Sequence, residues 1–324
     1  MPRFLVIRFS SIGDIVLASP LLRCLKQQLA NAEIHFLTKI AYRPIHEYNP
    51  FIDRHLLFNE NYSSLIPLLR KQNYEIIIDL HNNIRSWIFK RALSAPSFSV
   101  NKENFRKWKM VHFKQRLSLS HIVFRFLETA RPLGVQFDGK GLDYFLPPEL
   151  NETDPCRNGS LPHHFQNDYL VVVCGARHQT KQPPVALLKR LIKGRQAVLL
   201  GSDEDHGRAE AIREGPHHVN LAGKLTLHQS AWIIKHARKV ITPDTGLMHI
   251  AAAFGKEIIS LWGNTIPEFG MSPFYGRNEN RSHVFEVKLP CRPCSKIGFK
   301  KCPKSHFNCM NLQNAEAIIR AIDS

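Results

Sequence analysis

The sequence lacks any apolar run near the roughly 18 residues that a membrane-spanning helix needs. Its apolar stretches, such as residues 170–174 and 250–254, are far shorter. A secretory leader is not expected either, because Arg8 interrupts the first apolar run and no small-residue cleavage site follows it. These absences predict a cytoplasmic chain with no membrane span. Neither G-x-G-x-x-G nor G-x-x-x-x-G-K-[ST] occurs, which argues against dinucleotide oxidoreductases and P-loop enzymes. The seven cysteines are an odd number. In a chain expected to be cytoplasmic they argue against a disulfide framework. Internal repeats and low-complexity tracts are missing. Acids are also scarce, with 27 Asp and Glu against 44 Lys and Arg, a net charge of +17.

What is present is ample for a folded protein. The chain has 324 residues and is 44% hydrophobic, enough for two domains of about 150 residues that each bury a core. Charged residues at 22% and aromatics at 10% argue against disorder. The basic excess is concentrated. Residues 85–131 hold 11 basic residues against two acids, Glu103 and Glu128, and residues 288–304 hold six basic residues and no acid. Such patches suit an anionic partner, whether nucleic acid, a lipid head group or a phosphorylated substrate; a merely solvating surface is the plain alternative.

Short continuous apolar runs alternate with amphipathic patterns. Strands are expected at residues 4–8, 34–37, 76–80, 170–174, 197–201, 219–221, 239–242 and 257–262. Helices are expected at 14–29, 63–71, 112–130, 185–193, 206–214, 227–236, 246–254 and 313–323. A segment rich in Pro, Asn and Gly, residues 147–162, breaks the alternation and reads as a linker. Buried strands alternating with helices predict parallel sheets covered on both faces, here as two doubly wound α/β domains of Rossmann-like type. The expected bounds are 1–155 and 156–324. Ligands of such sheets bind at the carboxyl ends of the strands, so the chemistry is sought in a cleft that the two domains face.

Three loops carry candidate chemistry. Residues 8–14, RFSSIGD, lie where the first strand meets the first helix. Ser10, Ser11 and Gly13 suit a tight turn with exposed N–H groups. Asp14 reads either as an acid in the first turn of the helix or as a general base at the rim of the strand ends. In residues 175–184, GARHQTKQPP, Thr180 and Lys181 stand just ahead of a helix opened by two prolines. That lysine either meets a phosphate at the helix start or is solvated in a loop. In residues 242–249, TPDTGLMH, Asp244 and Thr245 can cap a helix beginning near Gly246, with His249 one turn in. The loop offers N–H groups and a dipole to a diphosphate, or it is a well-capped buried helix. Asp203-Glu204-Asp205 resembles a metal-binding acid cluster and reads better as a helix cap.

Taken in order, F-S-S-I-G-D, the T-K before a proline-started helix, and T-P-D-T-G-L-M-H-I-A-A resemble the heptosyltransferases of glycosyltransferase family 9 across nearly the whole chain. The resemblance implies the GT-B fold and an inverting, metal-independent transfer of heptose from an ADP-sugar to the lipopolysaccharide inner core, with no cofactor. By the same resemblance Asp14 is the catalytic base, Thr180 and Lys181 contact the donor phosphates, and Asp244, Thr245, Gly246 and His249 form the donor loop. Ser10, Ser11, Gly13 and Arg85 then fall on the acceptor side. The N-terminal domain holds the acceptor and the C-terminal domain the nucleotide sugar. An anionic, lipid-linked saccharide acceptor accounts for the basic segment 85–131, including Arg106, Lys107 and Lys109. It implies a monomer in peripheral contact with the inner face of the inner membrane, with no nucleic-acid partner.

The cluster Cys291, Cys294, Cys302 and Cys309 stands outside those motifs. Its spacing, C-x2-C-x7-C-x6-C, is compatible with a zinc site, with free thiols in a basic loop as the other reading. It sustains a second function, a basic nucleic-acid-binding protein with a zinc module. A third reading is a related sugar-nucleotide enzyme with another donor.

Overall fold

The structure is a computed structural model and describes residues 1–151, 161, 162, 165, 168–277 and 279–324. They divide into two compact units, Met1–Lys102 with Ser120–Phe145, and Glu103–Leu119 with Leu146–Ser324. The expected boundary at 155/156 lies outside the described residues, as does most of the expected linker. Among the described residues no helix is long and apolar enough to cross a membrane.

The first unit is built on β1 (Arg3–Ile7), β2 (Glu33–Lys39), β3 (Arg54–Phe58), β4 (Ile76–Asp79) and β5 (Ser97–Ser99). The order is β3-β2-β1-β4-β5, and every pair is parallel. Strand β1 lies at the centre, which explains why Phe4–Ile7 reads as an unbroken apolar run: all four side chains are buried. Helices α1 (Ile12–Val16), α2 (Ser19–Gln28), α3 (Tyr62–Arg70), α4 (Ile84–Leu93) and α6 (Ile122–Leu127) belong to this unit, and α5 (Asn104–Phe113) to the other. Leu5, Ile7, Phe9, Phe58, Ile77 and Phe89 anchor its core. Arg23, buried on α2, pairs with Asp138 at 2.6 Å and with Asp143, and also bonds the Gly141 carbonyl at 3.0 Å. It ties the 138–143 segment to the sheet's helical cover.

The second unit contains α7 (Pro148–Asn151), β6 (Leu170–Val173), α8 (Val185–Ile192), β7 (Ala197–Leu200), α9 (His206–Ile212), β8 (His218–Asn220) and α10 (Leu227–His236). It continues through β9 (Lys239–Pro243), α11 (Gly246–Ala253), β10 (Glu257–Trp262), β11 (Ser282–Glu286), α12 (Asn308–Asn311) and α13 (Ala315–Asp323). Its sheet, β11-β10-β9-β6-β7-β8, is wholly parallel. Numbered from β6, that is the six-stranded Rossmann order. Leu188, Leu191 and Ile192 of α8 and Ile318 and Ile322 of α13 pack on the sheet in one apolar cluster.

Three expectations are corrected. The single helix expected at 14–29 is two, because Pro20 cannot continue the ladder and the Ser19 hydroxyl takes the Val16 carbonyl at 2.7 Å. The helix expected at 112–130 is interrupted. Lys114 turns left-handed, α6 starts only at Ile122, and Leu119 donates its N–H to Glu268 in the second unit. Apolar spacing there serves two different cores. With it, Arg106, Lys107 and Lys109 move from the half expected to hold the acceptor into the unit that carries Lys181 and Asp244.

His46 makes the first unit acid-sensitive. It is buried against Phe36 at a ring separation of 4.9 Å, and its Nδ1 lies 2.8 Å from Nδ1 of His55 on β3. Its Nε2 is buried and, among the described residues, has no hydrogen-bond partner. Burial, then His55 and Arg43, push its pKa down from 6.5 to about 3. Below pH 6.5 the unfolded chain binds a proton here that the fold refuses until about pH 3, so stability falls with falling pH by about 1.4 kcal/mol per unit from this site. The melting temperature should therefore drop between pH 6.5 and 4, and His46→Asn should flatten the slope. An identical slope in the variant would assign the acid sensitivity to other groups.

Candidate active site

Each sheet has one place where the strand order reverses. In the first it lies between β1 and β4, and in the second between β6 and β9. Loops leaving the carboxyl ends of such strands run to opposite sides and leave a crevice for ligand. The loops in question are 8–11 and 80–83 in the first unit, and 174–184 and 244–245 in the second. Three of the four are the loops singled out in the sequence.

At the first crevice Asp14 holds two relationships at once. Its carboxylate accepts from the Ser11 hydroxyl at 2.8 Å and the Ser11 N–H at 3.3 Å, closing a capping box on α1. The same Oδ2 meets Arg8 Nη2 at 2.7 Å. Burial raises the carboxyl pKa, but the Arg8 guanidinium and the Ser11 bonds outweigh it and hold Asp14 below its ordinary value. It is an anion at neutral pH. Ser10 is half-buried, Ser11 exposed and Gly13 buried in the turn. Arg85 is exposed in the first turn of α4, just past the second loop of the crevice.

The second loop supplies His81, which the sequence reading did not single out. Fully buried Asp79 accepts the N–H groups of His81 at 3.0 Å and Asn82 at 2.7 Å and the Ser86 hydroxyl at 2.8 Å, and it pairs with Lys90 at 3.0 Å. That set fixes the start of α4. The His81 ring meets Phe9 edge-on at 5.1 Å, and its buried Nδ1 has no partner among the described residues. Burial, then the Arg8 and Lys102 charges, push its pKa down to about 4, so it is neutral at pH 7. Arg8 itself also bonds the Leu80 carbonyl and lies 5.7 Å from the centre of the Phe126 ring.

At the second crevice Lys181 Nζ and Asp244 Oδ2 meet at 2.6 Å, both side chains mostly buried. Thr265 donates its hydroxyl to the same oxygen at 3.0 Å. Thr245 caps α11 without a side-chain cap bond, its hydroxyl lying 3.2 Å from that of Thr242. The helix begins at Gly246, so its first amides and its positive end stand beside the Lys181–Asp244 pair. His249 is buried one turn in. Thr180 is buried, and its hydroxyl bridges the backbone of Phe299, accepting the N–H at 2.8 Å and donating to the carbonyl at 3.1 Å. It holds the 295–299 loop against the loop that presents Lys181.

Further residues brace this arrangement from far along the chain. Arg292, fully buried, donates to the Gly263 and Thr265 carbonyls at 2.5 and 2.8 Å and pairs with Glu286 at 3.0 Å. It sets the turn from which Thr265 reaches Asp244. Gly263 is required there, since a Cβ would stand 2.5 Å from the Thr180 carbonyl. The Asn264 side chain is buried, and among the described residues neither amide atom is bonded. Asp205 accepts the Ser202 N–H at 2.9 Å and hydroxyl at 2.7 Å, the cap expected of that acid cluster.

The cysteine cluster has a different character. Cys291 Sγ lies 3.9 Å from His306 Nε2, and the Cys294 thiol donates to the Cys291 carbonyl at 3.1 Å. Burial pushes the Cys294 and Cys309 thiols up to about 11. Among the described residues no three His, Cys, Asp or Glu are grouped to hold a metal ion.

Two Rossmann-type units in one chain, each with a polar constellation at its switch point, define a protein of the GT-B class. Residues 62–303, well over half of the chain, match glycosyltransferase family 9 (heptosyltransferase). The chain belongs to that family and is a glycosyltransferase. It is similar to lipopolysaccharide heptosyltransferase 1 of Pseudomonas aeruginosa, 25% identical over 91% of this chain and 86% of that one. Among solved structures it shares its fold with the family 9 glycosyltransferase of Veillonella parvula (TM-score 0.77, 19% identity, 99% and 96% of the two chains). The E. coli ADP-heptose LPS heptosyltransferase II has the same fold (TM-score 0.70, 21% identity, 99% and 100%). Membership in this family sets aside the reading as a nucleic-acid-binding protein.

Proposed function

We propose that this enzyme transfers a heptose from ADP-heptose to the inner core of a lipopolysaccharide, with inversion at the anomeric carbon. The observation that carries the donor half is the Lys181–Asp244 pair in front of the start of α11, whose N-cap Thr245 makes no side-chain cap bond. Cation and helix end together suit a diphosphate, and the Asp244 carboxylate suits sugar hydroxyls. The names of the relatives support the sugar and the acceptor.

In this reading the first unit supplies the base. Asp14 takes the proton of the acceptor hydroxyl as that oxygen bonds the anomeric carbon. The bond from that carbon to the diphosphate oxygen breaks in the same displacement, and its electron pair leaves with ADP. Lys181 and the α11 amides offset the charge that grows on the leaving group. Arg8 keeps Asp14 ionised, and neutral His81 can accept or donate one hydrogen bond beside it. Lys181 and the helix end meet the leaving group's charge, so transfer is expected to persist in EDTA.

A thermal-shift series decides the donor. ADP and ADP-heptose should raise the melting temperature, while UDP and UDP-sugars at equal concentration should not. A purified lipid A–Kdo acceptor should then give a product of inverted anomeric configuration by NMR. A larger shift with UDP-sugars would replace the donor, and a retained configuration would replace the single displacement.

A further inference from the structure

We infer that α5 is a docking helix for an anionic bilayer surface, through an aromatic ridge that points away from the protein core. The inference deepens the proposed function by naming a membrane as partner, but its geometry does not depend on which sugar is transferred.

Helix α5, NFRKWKMVHF, is apolar on two opposed sides. One side carries Met110, which is fully buried with Leu119, Ile266 and Phe269 in a core cluster of the second unit. The other carries Phe105, Trp108 and, one turn on, Phe113, which are 65%, 44% and 61% exposed. These rings already touch one another. Phe105 and Trp108 stack with centroids 6.1 Å apart, and Trp108 meets Phe113 edge-on at 5.5 Å and His112 at 4.7 Å. A soluble helix needs one apolar face, and the Met110 face supplies it. Among the described residues the second face stays exposed.

Charge identifies what covers the ridge. Arg106, Lys107 and Lys109 share the helix with the rings, and Lys109 Nζ sits 4.7 Å from the centre of the Phe105 ring. The acid just ahead of the helix, Glu103, is paired with Arg106 at 2.6 Å. Aromatic rings flanked by cations, with acids nearly absent, are the composition of a helix that lies in a headgroup layer. The rings enter the acyl boundary while the cations stay at the phosphates. The loop after the helix is fixed firmly enough to support it. Lys114 bonds the Val111 and Pro293 carbonyls at 2.6 and 2.9 Å, and Arg116 pairs with Glu268 and Glu286 at 3.0 and 2.8 Å.

The test is sedimentation of the full chain with vesicles of phosphatidylglycerol and phosphatidylcholine in equal parts, against vesicles of phosphatidylcholine alone. The chain should bind the anionic vesicles, release them as salt rises, and leave the neutral ones in solution. Phe105→Ser/Phe113→Ser should weaken binding about tenfold or more, while the melting temperature and ADP affinity stay those of the parent. Lys109→Gln, which leaves the rings intact, should weaken it at low salt only. Equal binding to neutral vesicles, or unchanged binding in both variants, would overturn the inference. So would concentration-dependent dimerisation that the ring variant abolishes, since the ridge would then belong to a second copy. Vesicle binding that requires the acceptor glycolipid would assign the ridge to substrate. If heptosyl transfer fails but anionic vesicles still bind through these residues, the docking helix stands without the proposed reaction.

Discussion

Asp14→Asn is expected to fold and to bind ADP as the parent does, while transferring sugar about 10²–10⁴-fold more slowly, the scale of a lost general base. The carboxylate serves both as part of the α1 capping box and as the partner of Arg8, so lower stability alone would not prove a chemical role. Asn retains an oxygen for the Ser11 N–H but cannot take a proton. It also leaves Arg8 without its anion, at a cost of about 1–3 kcal/mol. Ser11→Ala separates the two roles. It removes the 2.8 Å hydroxyl bond to Asp14 and weakens the box, yet it keeps the base. A large loss of turnover in Asp14→Asn with little loss in Ser11→Ala, at matched stability, assigns Asp14 to proton transfer. Near-parent turnover in Asp14→Asn would leave it a helix cap.

Lys181→Ala should weaken ADP binding and slow transfer together by about 10²–10³-fold, because a charge on the diphosphate acts before and during bond cleavage. The structure adds a sharper expectation. Lys181 is held at 2.6 Å by Asp244, so its removal leaves a mostly buried carboxylate that keeps the Thr265 hydroxyl but has lost its cation, next to where the diphosphate is proposed to bind. Repulsion then compounds the lost attraction. The double variant Lys181→Ala/Asp244→Asn should therefore bind ADP more tightly than Lys181→Ala alone, as calorimetry can measure. Additive losses in the double variant would mean that the pair does not couple at the donor site.

Much of this protein is legible along the chain. The central strands β1 and β6 are buried on both faces and show as unbroken apolar runs, while the edge strands β3, β5 and β11 are half-exposed and leave no such mark. Helix α4 escaped notice because its start is set by Asp79 and the Asn83–Ser86 box and not by apolar spacing. At the candidate site, Asp14, Lys181 and Asp244 stood out in the sequence because each lies at a junction between a strand and a helix. His81 and Arg292 were not, since neither the loop after β4 nor a buried arginine near a cysteine cluster has a pattern that marks it.

The sequence by itself determined the local features: which runs are buried strands, where Ser11 and Asp14 begin a helix, and where Thr245 and Gly246 begin another. These depend on residues within one turn of each other, so spacing and residue type suffice. Only the tertiary structure decided which loops meet. Strand order put the loop after β4 beside the loop after β1, so that His81 joined Arg8 and Asp14, and put the loop after β9 beside the loop after β6, so that Asp244 joined Lys181. It also gave α5 to the second unit by seating Met110 among Ile266 and Phe269, which freed its aromatic side to face outward. Parallel strands pair across long crossovers, and the choice of neighbour depends on cores assembled from the whole chain. No periodicity within one segment records it.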